Sequence, residues 1–148
     1  MSRPVILCVD DERIILSSLK AQLQNNLPSN FQIEVTESAE EALEIVQELI
    51  KDDIELPLVI ADQIMPSMKG NELLGKIKEL LPQTLTIMLT GQADADAVGN
   101  AVNKAGLFRY LSKPWDEDDL ILTIQSALDS YEHQKNLLKQ SYYQTVIN

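Results

Sequence analysis

Four stretches of this chain set chemistry-bearing side chains directly behind apolar runs. Asp10, Asp11 and Glu12 follow "PVILCV"; Asp62 closes "LPLVIAD"; Thr90 ends "LTIMLT", with Gly91 next; Lys113 ends "LFRYLSK" and precedes Pro114. Taken singly, each reads as a solvated loop residue, because charged side chains are rarely buried. Brought to one place they would do something specific. Carboxylates packed together repel one another, and a divalent cation offsets that repulsion; all-oxygen ligation suits magnesium. Magnesium keeps several waters and accepts phosphate oxygens. A phosphoryl group there would also meet the Lys113 ammonium and the Thr90 hydroxyl. Positioning and charge neutralisation are most of what phosphoryl transfer requires. Asp62 stands alone at the end of its run, so it is the natural nucleophile.

The elements that must position these residues are legible in the hydrophobic pattern. Five short runs read as buried strands: Pro4 to Asp10, Phe31 to Glu37, Leu56 to Asp62, Leu85 to Gly91 and Leu107 to Lys113. Between them apolar residues recur three or four apart, the period of a helix face. The first face is Ile14, Ile15, Leu19 and Leu23. The second is Ala42, Leu43, Ile45, Val46, Leu49 and Ile50. The third is Leu73, Leu74, Ile77 and Leu80 or Leu81. The fourth, weaker, is Ala97, Val98, Ala101 and Val102. The fifth is Leu120, Ile121, Ile124, Ala127, Leu128 and Tyr131. Ser38 with Glu41 suits a capping box on the second helix, and Asp116 caps the fifth. Pro82 closes the third helix and Gly106 the fourth. Strands alternating with helices, with no hairpin turns, predict an α/β fold with a doubly wound parallel five-stranded sheet. The second strand alternates in character and suits an edge. In such sheets ligands bind at the carboxyl ends of the strands. A strand order 2-1-3-4-5 would make the first and third strands neighbours and set the acids at the topological switch point.

Composition narrows the function. At 148 residues the chain fits one domain with an appended element. The net charge of −11 argues against direct binding to nucleic acid, whose phosphates would be repelled. Its apolar runs are too short to span a bilayer, and the N-terminus lacks the pattern of a signal peptide, so a cytoplasmic location is expected. The single cysteine, Cys8, reads as a small buried apolar side chain. The single histidine, His133, has no cysteine partner for zinc and reads as solvated. Trp115 reads as cover for the apolar edge at the start of the fifth helix.

The ordered set "VDDE", "ADQIMP", "LTG" and "KPW" resembles the receiver domain of two-component response regulators over roughly Val5 to Tyr131. Each motif alone is weak; the four in order are specific. The resemblance implies a flavodoxin-like (βα)5 fold. It implies that Asp62 accepts a phosphoryl group from a histidine kinase or phosphotransfer protein. Asp10, Asp11, Asp62 and the backbone carbonyl of Ile64 would hold Mg²⁺ or Mn²⁺, Asp10 chiefly through water. Lys113 would contact the phosphate. Thr90 and Tyr110 would be the switch pair that reshapes the face made by the fourth helix, fifth strand and fifth helix, controlling a downstream output domain or protein. Ile64, two residues past Asp62, and Gln92, two past Thr90, would tune the phosphoryl lifetime. Such a chain catalyses only its own phosphorylation and dephosphorylation and is not otherwise an enzyme.

Rival readings have weaker support. Magnesium phosphatases on α/β folds usually carry a second acid two residues past the nucleophile, and here that residue is Ile64. No glycine-rich phosphate loop follows the first strand. A receiver that binds partners without phosphorylation would not need the complete set. The domain boundary is expected at 131, with 132–148 a helical extension or connector. The last helical stretch runs from Asp116 to about Gln144 without Pro or Gly, roughly 40 Å. Leu137, Leu138, Tyr142, Val146 and Ile147 would be exposed there, which points to partner contact or a homodimer through this helix. The chain reads equally as a stand-alone receiver or the front of a longer regulator.

Overall fold

Val5–Val9 (β1), Leu58–Asp62 (β3) and Leu85–Thr90 (β4) are buried at every position in the computed structural model, which describes residues 2–91 and 106–147, with side chains through residue 142. A strand apolar on both faces needs cover on both faces, and a parallel sheet between helices supplies it. The five strands form one parallel sheet in the order β2-β1-β3-β4-β5, with β2 at Gln32–Thr36 and β5 at Arg109–Ser112. The helices are α1 (Arg13–Asn26), α2 (Ala39–Lys51), α3 (Gly70–Leu80) and a C-terminal helix (Glu117–Ile147). This is the flavodoxin-like arrangement the sequence predicts. The expected fourth helix, around Ala97 to Val102, lies outside the described residues, as does Gln92. Gly106, expected to close that helix, has φ +64°, a left-handed conformation that glycine adopts without a Cβ penalty.

Strand periodicity divides the core in two. Val5, Leu7, Val9, Val59, Ala61 and Met88 pack with Ala42 and Val46 of α2 and Leu73, Leu74 and Ile77 of α3. Ile6, Cys8, Leu58, Ile60, Ile87 and Leu89 pack with Leu16, Leu19 and Leu23 of α1 and Leu120, Ile124 and Ala127 of the C-terminal helix. Cys8 is fully buried, and desolvation pushes its thiol up to about 12, so it serves as core.

Three readings need correction. Ile14 is exposed, and Leu16 takes its place on the buried face of α1. Leu16, Leu19 and Leu23 follow the helical period, whereas Ile14 lies five residues before Leu19, well around the helix from that face. Ile50, expected on the buried face of α2, is exposed near the end of that helix. β5 is not a buried strand: Arg109, Tyr110 and Ser112 are exposed on an edge strand paired only with β4.

The caps behave as their residue types dictate. Ser38 Oγ accepts from the Glu41 backbone N–H at 3.1 Å, but the Glu41 carboxylate accepts from Thr36 Oγ1 at 2.9 Å, so the expected box is half made. Asp116 accepts from the Asp119 N–H at 3.1 Å and opens the C-terminal helix. That helix passes residue 131 without a break, and Lys135 pairs with Glu55, ahead of β3, at 2.7 Å. Among the described residues no helix is long and apolar enough to cross a membrane.

Candidate functional site

Register brings the acids together. Val9 pairs with Ala61, so Asp10, one residue past β1, arrives beside Asp62, the last residue of β3. Asp10, Asp11 and Asp62 each present a carboxylate oxygen, all within 4.8 Å of one another. Asp10 and Asp62 are buried and Asp11 is exposed. The Asp10 backbone N–H donates to the Thr36 carbonyl at 3.2 Å, and Asp10 Oδ1 accepts from the Glu12 N–H at 2.9 Å. The second bond turns the chain at once into α1 and leaves Asp10 Oδ2 facing the cleft.

Lys113 comes from the far edge of the sheet. Thr90 pairs with Ser112, and the Lys113 N–H donates to the Thr90 carbonyl at 2.8 Å. Lys113 Nζ then lies 2.8 Å from Asp10 Oδ2, 3.1 Å from Asp62 Oδ1 and 4.0 Å from Glu12 Oε1. The Lys113–Pro114 peptide is cis. Trp115 packs against the core beside α1 and donates its indole N–H to Gln22 Oε1 at 2.8 Å, the covering role expected of it.

The electrostatics follow from this crowding. Desolvation by burial, then the neighbouring Asp10 charge, raises the Asp62 pKa above the ordinary carboxylate value; Lys113 opposes them but does not cancel them. Burial lowers the Lys113 pKa, yet its hydrogen bonds to Asp10 and Asp62 more than offset this and raise it. An ammonium is therefore held firmly charged against a carboxylate that resists ionisation. Three oxygen donors of like charge, two of them buried, form a donor set that fits a hard divalent cation.

The other predicted site residues sit around this cluster. Thr90 is buried at the end of β4, next to the register partner of Asp62, and its hydroxyl donates to the Gly91 carbonyl at 3.2 Å. Tyr110 pairs in register with Met88, which places it on the same sheet face as Thr90, and its ring is half exposed. Ile64 lies in the loop after β3 with its side chain exposed.

Two residues with no role predicted from the sequence shape that loop. A Cβ on Gly70 would come within 2.2 Å of the Asp62 carbonyl oxygen, so only glycine lets α3 start this close to the acid. The signal available was a glycine eight residues past Asp62 and directly before a helical stretch. Gln63 is buried immediately after Asp62: its backbone N–H donates to the Leu89 carbonyl at 3.0 Å, and its carbonyl accepts from Gly70 at 3.0 Å. A polar residue continuing an apolar strand was its only signal.

The family model for the response regulator receiver domain matches residues 6–125. The hydrogenase transcriptional regulatory protein HoxA of Cupriavidus necator is 30% identical over 125 residues, which is 84% of this chain and 24% of that protein. The DNA-binding transcriptional regulator NtrC of Escherichia coli is 30% identical over 136 residues, 91% of this chain and 27% of that one. This chain thus spans about a quarter of the length of these relatives. The crystal structure of the signal receiver domain of an HD domain-containing protein from Pseudomonas fluorescens Pf-5 superposes with a TM-score of 0.79 at 34% identity, covering 92% of this chain and 94% of that one. An acid cup at the switch point, the 2-1-3-4-5 sheet and these matches lead to one conclusion: the chain belongs to the family of two-component response regulator receiver domains.

Proposed function

We propose that Asp62 accepts a phosphoryl group from the phosphohistidine of a histidine kinase or phosphotransfer protein. The observation that supports this most directly is the Lys113 ammonium shared between two buried carboxylates, beside a third. A phosphoryl group on Asp62 would meet a cation already held in place there.

Asp10, Asp11 and Asp62, with the Ile64 backbone carbonyl, would hold Mg²⁺ or Mn²⁺. Bound there, the cation would neutralise charge on the phosphoryl oxygens. The chain's own residues do the rest. An Asp62 carboxylate oxygen attacks phosphorus in line; the new O–P bond forms as the P–N bond to imidazole breaks. Lys113 exchanges its contact with Asp62 for a phosphoryl oxygen while keeping Asp10. The Thr90 hydroxyl turns from the Gly91 carbonyl to the phosphoryl group. Its departure alters packing on the sheet face that carries Tyr110, and this converts a local charge event into a changed partner surface. Ile64 offers no polar side chain to orient a hydrolytic water, so together with Gln92 it tunes the phosphoryl lifetime. The chain turns over no separate substrate; it catalyses its own phosphorylation and dephosphorylation, in the cytoplasm.

The output lies with an attached domain or a separate protein. The acidic chain itself does not bind nucleic acid. Tyr131 packs on the receiver core, and Leu138 follows it by about two helical turns, on the same stripe but exposed. That continuation of a core-facing stripe beyond the core is the surface through which two copies associate.

The test is mass spectrometry after treatment with acetyl phosphate and Mg²⁺. Wild type gains one phosphoryl group and Asp62→Asn gains none; equal labelling of both would remove Asp62 as the acceptor.

A further inference from the structure

The start of α3 lacks the cap its position calls for. The first N–H groups of a helix have no partner within it and usually take a side-chain oxygen from the residue just before. Here that residue is Lys69, which has no acceptor and makes no capping bond. The missing acceptor comes from elsewhere. Gln63 Oε1 accepts from the Asn71 backbone N–H at 2.9 Å, and Gln63 Nε2 donates to Asn71 Oδ1 at 3.1 Å. The side chain one residue past the phosphoryl acceptor thus caps the helix through a two-point amide clasp.

The clasp closes a short loop at both levels of the chain. The Gln63 backbone carbonyl accepts from Gly70, and its side chain engages Asn71. Between these anchors run residues 64–69, with Ser67 at φ +66° and the Met68 N–H donating to the Pro66 carbonyl at 2.8 Å. The loop begins with Ile64. The two ends of the loop are thus tied to each other through both the backbone and the side chain of Gln63. Gln63 is buried while Asn71 is partly exposed, so a broken clasp leaves the Gln63 amide without water to replace its lost bonds.

We infer that Gln63 is a positioning residue for the cation and phosphoryl site, acting by capping α3 from the strand end and so fixing the loop that presents the Ile64 carbonyl. The inference rests on the metal-dependent reading of the acid cup. Gln63 acts through the loop, as a positioning group and not as a ligand. Groups of this kind typically alter metal affinity by about 10- to 100-fold when removed.

The experiment titrates Mg²⁺ into the full chain by calorimetry, with the fluorescence of the one tryptophan, Trp115, as a second reading. Four proteins are compared: wild type, Gln63→Met, Asn71→Ala and Ser38→Ala. Gln63→Met keeps the length of the side chain and removes both bonds. Asn71→Ala removes one and keeps the backbone N–H bond. Ser38→Ala deletes the cap of α2 and serves as a control for loss of helix stability alone. Gln63→Met is expected to weaken Mg²⁺ binding by about tenfold or more, Asn71→Ala by less, and Ser38→Ala not at all. Thermal melts without Mg²⁺ show each variant folded before titration. If wild type binds Mg²⁺ and folded Gln63→Met binds it equally well, the positioning role is overturned and the metal reading stands. If Gln63→Met and Ser38→Ala weaken binding alike, the effect is general stability and the role is again overturned. If wild type itself shows no binding, both readings fall together.

Discussion

Replacing Lys113 by Met keeps the stem and deletes the charge that two buried carboxylates share. Its ammonium lies 2.8 Å from Asp10 and 3.1 Å from Asp62, and the Asp10 side chain is wholly inaccessible to water. At an effective dielectric of about 20, each contact carries roughly 5 kcal/mol of attraction, most of it cancelled by the cost of drying the ions. Removing one partner of a buried ion pair typically costs about 3–5 kcal/mol, because the remaining charge is stranded. One acid can escape by taking up a proton, which limits the loss to about 2–4 kcal/mol at neutral pH. For a chain of this size that corresponds to a fall in Tm on the order of 10 °C. The sign with pH follows from the Asp62 carboxyl, already raised by burial and by Asp10. A group whose folded pKa lies above its unfolded value contributes stability fully below the unfolded value. That contribution is lost as pH rises through the folded value. Without Lys113 the folded value moves further up, so the deficit of Lys113→Met grows as pH rises from the ordinary carboxylate range towards neutrality. Urea denaturation at several pH values between about 5 and 8 measures this without the screening that guanidinium adds. Mg²⁺ at neutral pH restores part of the loss, since three carboxylates remain to bind it. A variant within about 0.5 kcal/mol of wild type at pH 7, or a deficit that does not change with pH, would refute the charge-balance account of the cup.

The remaining predictions concern the backbone beside Asp62 and the tail. Gly70→Ala drives a Cβ into the Asp62 carbonyl at 2.2 Å, and backbone cannot give way as a flexible side chain can. It is expected to cost about 1–3 kcal/mol in urea denaturation and to slow labelling by acetyl phosphate more than Gly75→Ala, whose Cβ would meet nothing within 4 Å. Equal effects of the two would mean that the close approach has no role. For the tail, light scattering of the full chain should give the mass of a dimer, and truncation after Asn136, which keeps the Lys135–Glu55 pair, should give a monomer. A monomeric mass for the full chain would exclude self-association through the C-terminal helix.

What the sequence alone determined was everything that local periodicity and order along the chain encode. Short apolar runs set the five strands to within two residues, and the period-3.6 pattern placed α1, α2, α3 and the C-terminal helix among them. Their alternation implied a parallel sheet, and the position of each polar residue at a strand end implied a shared edge. Ser38 and Asp116 were readable as caps because capping is a contact over three residues. The tertiary structure decided what depends on neighbours distant in the chain. Tyr110 stands half exposed on β5, which the strand order places at an edge of the sheet. That Lys113 reaches Asp10, 103 residues away, depends on strand order and register, which no local pattern specifies. Gly70 and Gln63 left only faint marks in the pattern for the same reason. Their roles lie in the approach of a helix N-terminus to a strand end, a relation that exists only once the chain has closed on itself.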